Sequence, residues 1–320
     1  MIITVNSAMT NKLNDNLMKT DFLDRMVLGT AGLGGVWGKV DQQESIKTII
    51  DAMECGVNHI DTAPAYGNAE ELLGLALKQW SGRKPFLSTK VGRLKSFGVE
   101  GQHYDFSAKG MKRSIESSLK ILGRTEVDLL LLHDPLHVPE AEFESVVNNL
   151  IELKRNGYSR YIGLGGNAPE GFLPYLQAGV FDVVMEFNKL NASNTESLDT
   201  MLPFCNQSKT TYYAASPLNM GLLGVSYSAF TNTPPEWLAK EQVNSAIRIH
   251  AVALKYGIPL SELSYRFLLN IPYDFKIVTG PSNRTEFRDL FNSLNLGPLP
   301  KAIYNEIVQI NKNVLDESDR

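Results

Sequence analysis

Four ionisable side chains stand where three apolar segments of the chain end, and together they offer the groups that proton transfer requires. Each segment is short, and a helical pattern follows it. Such segments are typical of buried parallel strands, whose carboxyl ends meet at one edge of a sheet. We therefore predict that a carboxylate, a phenol, an ammonium and an imidazole lie at one rim of the fold. These residues are Asp61, Tyr66, Lys90 and His133.

Tyr66 is the residue around which this chemistry would be organised. A phenol with the ordinary pKa of about 10 is a poor acid or base at neutral pH. An ammonium such as that of Lys90 lowers the pKa of a nearby phenol, and the carboxylate of Asp61 would keep that ammonium charged and in place. Neutral His133 would hydrogen-bond the substrate oxygen and orient it. Because this set supplies no electrons, a redox reaction would need a hydride cofactor.

Each of these residues also fits a structural role when it is considered alone. Asp61 would serve as a cap, Lys90 as a lysine that reaches solvent past an apolar surface, and His133 as a hydrogen-bonding group at a strand end. Their joint placement on consecutive strand ends favours the catalytic interpretation. His59, two residues before Asp61, is expected to point the same way but deeper into the fold, in a structural role.

A metal site is the alternative for this rim. His59, His133 and Asp61 would form a set of two histidines and one carboxylate. The five histidines include no H-x-H or H-E-x-x-H pair, and a metal would leave Tyr66 and Lys90 without roles. We therefore predict no metal.

Eight apolar segments alternate with helical patterns, which is typical of a single α/β domain folded as a (β/α)8 TIM barrel. After a flexible leader (1–20), the barrel would occupy 21–320, and 299–313 would form an extra helix. A doubly wound sheet would need a G-x-G-x-x-G fingerprint, which the glycine-rich stretch 29–35 does not match. The predicted strands are 26–29, 57–60, 86–89, 127–132, 161–164, 183–187, 211–214 and 275–278.

Two long loops, 94–106 and 219–237, follow the third and seventh predicted strands. Loops at the carboxyl face of a barrel build or cover its active site. Three side chains, Trp37, His103 and Tyr104, are expected to bind substrate, whereas Phe187 is expected to serve packing. Helix starts are predicted at Asp41, Ser107, Pro139, Pro169 and Asn283 or Arg284.

The composition excludes several classes of protein. With 43% hydrophobic and 21% charged residues and a net charge of −4, the chain lacks the basic surface of a nucleic-acid binder. No segment approaches the roughly 18 apolar residues of a membrane span, and the amino terminus lacks the apolar core of a signal peptide. The two cysteines, Cys55 and Cys205, make no ligand pattern and suit a reducing compartment. A cytoplasmic enzyme is expected.

At its four ionisable residues the chain resembles the aldo-keto reductase family, from about Leu23 to its end. The resemblance implies a (β/α)8 barrel, a nicotinamide cofactor, Tyr66 as the acid–base group, Lys90 and Asp61 as its tuning pair, and His133 as the carbonyl-orienting residue. It rests on Asp61-Thr62-Ala63-x-x-Tyr66-Gly67, Ser88-Thr89-Lys90 and Leu132-His133.

The resemblance also implies which residues hold the cofactor. Asn167 would hold the carboxamide, with Gly166 where the family has serine. Ala215 stands where an aromatic residue commonly stacks on the nicotinamide, and Val184 where a glutamine is usual. The implied cofactor-binding residues are Gly29, Thr30, Asn167, Ser216, Pro217, Leu218, Gly221, Gly280, Ser282, Arg284 and Glu286.

The residues after the last predicted strand bear on the choice between NAD and NADP. Glu286 takes a position where the family often has arginine or glutamine, and a carboxylate there would repel the 2′-phosphate of NADP. Arg284 argues the other way, because a guanidinium binds a phosphate well. NAD is the expected cofactor, and NADP is the alternative.

Further segments are similar to the aldose 1-dehydrogenase branch of the family, which includes L-fucose, L-galactose and D-threo-aldose dehydrogenases. They include 29–35, 104–107, 133–135 and 216–223. The expected activity is therefore oxidation of C1 of a free aldose to the lactone, with a small sugar or aldehyde as the partner. A general NADPH-dependent reductase of aldehydes and ketones, a pyridoxal dehydrogenase and a nicotinamide-binding sensor or channel-associated subunit are the alternatives. The sugar, the direction and the oligomeric state stay open.

Overall fold

The chain folds into a closed barrel of eight parallel strands that pair in sequence order, with the eighth strand completing the ring against the first. The computed structural model describes residues 22–96 and 103–318, with side chains through residue 314; the predicted leader, 1–20, lies outside these ranges. The predicted (β/α)8 barrel is confirmed. None of the described helices is long and apolar enough to cross a membrane.

The strand positions follow the apolar segments of the sequence. Two strands have the predicted bounds, and the other six differ from prediction by two residues or fewer at each end. The strands are β1 (Met26–Gly29), β2 (His59–Asp61), β3 (Phe86–Val91), β4 (Val127–His133), β5 (Ser159–Gly165), β6 (Val183–Phe187), β7 (Thr211–Ala215) and β8 (Lys276–Thr279).

Helices cover the outside of this barrel. They are α1 (Gln42–Glu54), α2 (Ala69–Gln79), α3 (Ala108–Leu122), α4 (Phe143–Arg155), α5 (Leu173–Gln177), α6 (Met201–Ser208), α7 (Tyr227–Asn232), α8 (Lys240–Tyr256), α9 (Leu260–Leu269), α10 (Arg284–Asn295) and α11 (Lys301–Ser318). The extra carboxyl-terminal helix is therefore present, but it begins two residues later than predicted and is longer. Between β7 and β8 the chain forms three helices, one of them inside the long loop 219–237.

The predicted caps begin three helices as expected. The side chains of Asp41, Ser107 and Asn283 accept hydrogen bonds from backbone amides in the first turns of α1, α3 and α10, at 2.9, 3.1 and 2.9 Å. The prediction was wrong at Pro139 and Pro169. Each proline is followed by a single 3-10 turn, and the α-helix begins only at the residue after that turn.

Two apolar cores hold the barrel together. The larger core lies between the strands and the helices. The smaller one fills the barrel interior, because alternate side chains of each strand point inward. Val184, which stands where the family usually has glutamine, belongs to the outer core and is fully buried there, whereas its neighbour Met185 points inward. The interior residues are Val27, Leu129, Leu131, Val183, Met185, Tyr213 and Val278.

Candidate active site

A buried ion pair lies at the carboxyl rim of the barrel. Asp61 ends β2 and Lys90 lies on β3, and the ammonium Nζ is 2.5 Å from the carboxylate Oδ2. The second carboxylate oxygen accepts a hydrogen bond from Ser88 at 2.7 Å, and Lys90 also donates to the backbone carbonyl of Thr62 at 3.0 Å. Both charged side chains are 2% exposed or less. Several hydrogen bonds therefore fix the positions of both the Asp61 and the Lys90 side chains.

Tyr66 and His133 complete the cluster above this pair. The Lys90 ammonium lies 4.8 Å from the centre of the Tyr66 ring. The His133 ring meets the Tyr66 ring edge to face at a centroid distance of 5.4 Å. The structure thus brings together all four residues that the sequence placed at one rim.

The loop that carries Tyr66 is set by close contact with the loop after β1. A Cβ atom added at Gly34 would lie 1.9 Å from the backbone oxygen of Tyr66. Only glycine therefore allows the two loops to approach this closely. The same oxygen accepts the amide of Ala69, at 3.0 Å, where α2 begins.

The pKa of Tyr66 differs from the sequence-based expectation. Burial raises the pKa of this phenol, and the charges of Asp61 and Asp134 raise it further; the Lys90 charge and a hydrogen bond to it act in the lowering direction. The expected lowering by Lys90 is thus present, but burial outweighs it and the net shift is upward. Without ligands, Tyr66 is a protonated phenol at neutral pH.

The other members of the cluster have defined charge states. Burial lowers the pKa of Lys90, but Asp61 and Tyr66 raise it more, so the amine stays charged. Burial, with the nearby charges of Lys90 and Arg93, holds the pKa of His133 well below its usual range. A neutral imidazole therefore faces a protonated phenol beside a buried ammonium.

His59 lies deeper in the barrel, as expected for a structural residue. Its ring packs against Phe86 and Tyr213 at centroid distances of 4.3 and 5.4 Å. Burial, with the charges of Lys276 and Lys90, lowers the pKa of His59 to about 3. Across the described part of the chain, no group of three or more His, Cys, Asp or Glu side chains is placed to hold a metal ion.

The loop after β7 has a backbone shape suited to an anion. Ser216, Asn219, Met220 and Gly221 all have positive φ angles, of 60°, 48°, 55° and 98°. Left-handed residues in a turn direct backbone amides into a concavity that binds anions. The expected cofactor residues Ser216, Pro217, Leu218 and Gly221 belong to this loop.

A buried amide supports the β7 loop, and the sequence interpretation missed it. The Asn219 side chain is fully buried and donates to Ser193 at 3.1 Å and to Gln242 at 2.8 Å. An asparagine two residues before a glycine in a long loop was a signal for left-handed backbone. Its partners, however, lie 26 and 23 residues away and carry no such signal.

The remaining expected cofactor residues lie at the same rim. Gly29 ends β1, and the hydroxyl of Thr30 donates to the Asp61 carbonyl at 3.0 Å. The Asn167 side chain pairs with the backbone of Phe187 in both directions, at 3.3 and 3.1 Å. Gly280 and Ser282 follow β8.

At the start of α10 the two charged candidates are already paired. Glu286 folds back to accept the backbone amide of Ser282 at 2.8 Å and the side-chain amide of Asn283 at 3.0 Å, which is a capping-box arrangement. The Arg284 guanidinium donates to Asp51 on α1 at 2.7 Å. Sequence reasoning missed Asp51, because nothing in the pattern of α1 shows that it faces a residue 233 positions later.

The expected substrate residues have different surroundings. Trp37 is half exposed and lines a cavity of about 590 Å³ together with Asn68. The Tyr104 ring stacks on His137 at 4.5 Å, and its hydroxyl donates to Asp134. His103 is exposed. Only Trp37 of the three expected residues lines this cavity.

An ion pair beside His133 was also missed by sequence reasoning. Arg93, just after β3, donates to Asp134 at 3.0 Å. Asp134 follows His133 directly and has a left-handed backbone with φ of 52°. The motif His133-Asp134-Pro135 was visible in the sequence, but its pairing with Arg93 depends on how two strand ends meet.

Comparison with known proteins agrees with this geometry. The model of the aldo/keto reductase family matches residues 25–312. The chain is 33% identical over 300 residues to the NADH-specific methylglyoxal reductase of Escherichia coli K12, covering 86% of this chain and 90% of the relative. It is 31% identical over 260 residues to the L-galactose dehydrogenase of Arabidopsis thaliana, covering 74% and 76%. The glycerol dehydrogenase structure from Gluconobacter oxydans, at 22% identity and a TM-score of 0.71 over 89% of this chain and 90% of that chain, shares the fold.

Proposed function

The chain belongs to the aldo/keto reductase family, and we propose that it is an NAD-dependent dehydrogenase that oxidises C1 of a free aldose to the lactone. The substrate class is that of L-fucose, L-galactose and the D-threo-aldoses. The observation that carries the proposal is the buried Asp61–Lys90 pair beside Tyr66, because it equips Tyr66 to take the proton from a sugar hydroxyl at the barrel rim. The name of the L-galactose dehydrogenase relative supports the sugar class.

The residues at the rim fit a nicotinamide dinucleotide. The left-handed β7 loop has the backbone shape of an anion-binding turn, which suits a pyrophosphate. A Cβ atom at Gly32 would lie 2.7 Å from the Ser282 hydroxyl, so the loops after β1 and β8 approach closely without a side chain between them. Ala215 leaves room at the inner edge of β7. When bound, the cofactor would accept or supply the hydride that the protein cannot.

The protein side of the reaction follows from the charge states of the cluster. During oxidation Tyr66 acts as the phenolate, which the Lys90 ammonium stabilises, and becomes a phenol when it takes the proton from the C1 hydroxyl. Asp61 keeps Lys90 charged and fixed. Neutral His133 orients the reacting oxygen by a hydrogen bond.

One observation favours a second function, the reduction of small aldehydes such as 2-oxoaldehydes. Because burial raises the pKa of Tyr66, the phenol is protonated at neutral pH and ready to donate to a carbonyl oxygen. The relative named a methylglyoxal reductase supports this alternative.

The preference for NAD over NADP is part of the proposal. Glu286 places a carboxylate in the loop after β8, where a 2′-phosphate would lie if the adenosine end of the cofactor binds there. Arg284, the cation that would favour NADP, is bound to Asp51. The relative named NADH-specific supports the same preference.

A substrate panel measured in both directions tests the proposal. L-fucose, L-galactose, D-arabinose, pyridoxal and methylglyoxal would be assayed by absorbance with NAD(H) and NADP(H), from pH 6 to 10. We expect sugar oxidation to rise with pH, because more Tyr66 is then phenolate. Reduction needs the phenol and should therefore hold across most of this range, because burial raises the pKa of Tyr66 above its usual value. If no sugar is oxidised while aldehydes are reduced rapidly, the reductase function would replace the proposed dehydrogenase function.

A further inference from the structure

The start of α10 is held by carboxylates that come from two helices. On α1, Asp51 accepts a hydrogen bond from the Arg284 guanidinium at 2.7 Å, and Glu44 accepts one from the Arg284 backbone amide at 3.3 Å. On α10 itself, Glu286 accepts the Ser282 amide at 2.8 Å. Amides at a helix amino terminus and a nearby guanidinium are the groups that ordinarily bind a phosphate. Here they already have acidic partners.

The charge of this corner follows from the same contacts. Arg284 and Arg288 both approach Asp51, at 2.7 and 3.8 Å. A hydrogen bond and the charge of Asp51, with the charge of Glu44, raise the pKa of the Arg284 guanidinium. The positive charge that α10 brings to this corner is therefore balanced by acidic side chains from α1.

We propose that Asp51 determines cofactor specificity, because it holds Arg284 against α1 so that the guanidinium does not serve a 2′-phosphate. Glu44 and Glu286 act with it by occupying the amides at the start of α10. The inference rests on the proposed function, which places the adenosine end of the dinucleotide at the loop after β8. It assigns a role to α1, a helix that carries none of the residues expected to bind cofactor.

The strength of the Arg284–Asp51 pair by itself does not decide whether NAD or NADP binds. The two side chains are 31% and 20% exposed, and ion pairs this accessible contribute little. A phosphate that captured Arg284 would, however, leave Asp51 without its cation. It would also meet Glu44 and Glu286 at the amides it needs. Repulsion from three carboxylates, rather than the strength of one pair, excludes the phosphate.

The test is binding without turnover. Wild-type protein and Asp51→Asn would be titrated by calorimetry with NADH, NADPH and 2′,5′-ADP. Asparagine keeps the shape of the side chain but removes its charge, so Arg284 becomes available to the phosphate. We expect NADPH and 2′,5′-ADP to bind about tenfold tighter, the scale of one regained charge-assisted bond. NADH binding should stay close to that of the wild type.

Two further variants make the test specific. Asp51→Asn combined with Arg284→Gln should not bind NADPH or 2′,5′-ADP more tightly than the wild type, because the gain in affinity needs the guanidinium. Asp289→Asn removes the same charge from an exposed position on α10 and should leave the ratio of NADPH to NADH affinity unchanged.

The possible failures are distinguishable. An unchanged ratio in Asp51→Asn, or a gain that persists without Arg284, would overturn the role of Asp51 while leaving the proposed dehydrogenase intact. A wild-type protein that binds NADPH more tightly than NADH would overturn the role of Asp51 and the proposed preference for NAD, but not the proposed oxidation of an aldose. A wild-type protein that binds neither dinucleotide would overturn the proposed function, and the role of Asp51 with it.

Discussion

Asp61 holds Lys90 through a hydrogen-bond network that leaves the ammonium little freedom. The carboxylate uses one oxygen for Lys90 and the other for Ser88, and the ammonium also donates to the Thr62 carbonyl. A buried charge that is both paired and hydrogen-bonded stays ionised in a low-dielectric interior. Lys90 can therefore act on Tyr66 as a fixed positive charge, which a solvated lysine of variable position would not provide.

Replacing Tyr66 by phenylalanine tests whether this arrangement serves proton transfer. We expect Tyr66→Phe to lower kcat by about 10²–10⁴-fold, the usual contribution of a general acid or base. NADH affinity, measured by fluorescence titration, should be retained. Tyr158→Phe is the matched control, because its hydroxyl donates to Glu116 at an exposed position outside the cluster. Equal losses in the two variants would remove Tyr66 from its assigned role.

The sequence could predict the members of the cluster, with Lys90 charged and His133 neutral, but not the direction in which the pKa of Tyr66 is shifted. Asp61, Lys90 and His133 follow from apolar segments that end in ionisable residues. The pKa of Tyr66 depends on how much of the phenol is buried by loops from other strands, and burial outweighs the nearby ammonium. The pairing of Arg284 with Asp51 was equally hidden, because it depends on the packing of α1 against α10.

At the scale of elements, the loop after β1 fixes the loop after β2. The backbone of Gly34 lies so close to the Tyr66 carbonyl that a Cβ atom would come within 1.9 Å of it, and within 2.7 Å of the Ala69 side chain. The amide of Asn68 also donates to the Gly34 carbonyl, at 3.1 Å. The position of Tyr66 is thus set by a neighbouring strand–helix unit as well as by its own.

Gly34→Ala should therefore act on catalysis through the backbone of Tyr66. The contact is with backbone atoms, which cannot rotate away, so the loop of Tyr66 must shift. Because a misplacement of about 1 Å can cost about 10²-fold in rate, we expect a loss of kcat of that order. Far-UV circular dichroism should show the barrel still folded. Normal kcat in a folded Gly34→Ala variant would mean that the two loops adjust independently.

The elements themselves were predictable where sequence pattern and packing agree. All eight strands were located within two residues, because buried parallel strands are continuous apolar segments. Pro139 and Pro169 misled the placement of α4 and α5, since proline suits the start of a 3-10 turn as well as that of an α-helix. The segment 219–237 was predicted to be a loop although α7 lies within it, because α7 has only six residues.

At the scale of the whole molecule, two histidines inside the barrel link its stability to pH. Burial and nearby ammonium groups lower the pKa of His59 to about 3, and burial with the charges of Lys90 and Arg93 holds the pKa of His133 well below 6.5. Both are neutral in the folded protein over a range in which the unfolded chain binds protons. Their contribution to stability is therefore complete above about pH 6.5 and declines as the pH falls toward the folded pKa.

His59→Leu isolates one of these two contributions. Within the described residues the Nε2 atom of His59 has no hydrogen-bond partner, and its Nδ1 is 3.5 Å from the Tyr213 hydroxyl, so leucine loses little at pH 7.5. Each of the two buried histidines, His59 and His133, should lower the free energy of unfolding by about 1.4 kcal/mol for every pH unit below pH 6, where the unfolded chain carries the extra proton. Urea unfolding followed by tryptophan fluorescence between pH 5 and 7.5 measures this slope. We expect His59→Leu to reduce this slope by the contribution of about one proton, because of the two buried histidines only His133 then remains. His103→Asn, a change at an exposed histidine, should leave the slope as in the wild type. An unchanged slope in His59→Leu would show that His59 is protonated in the folded barrel, or stays neutral in both states.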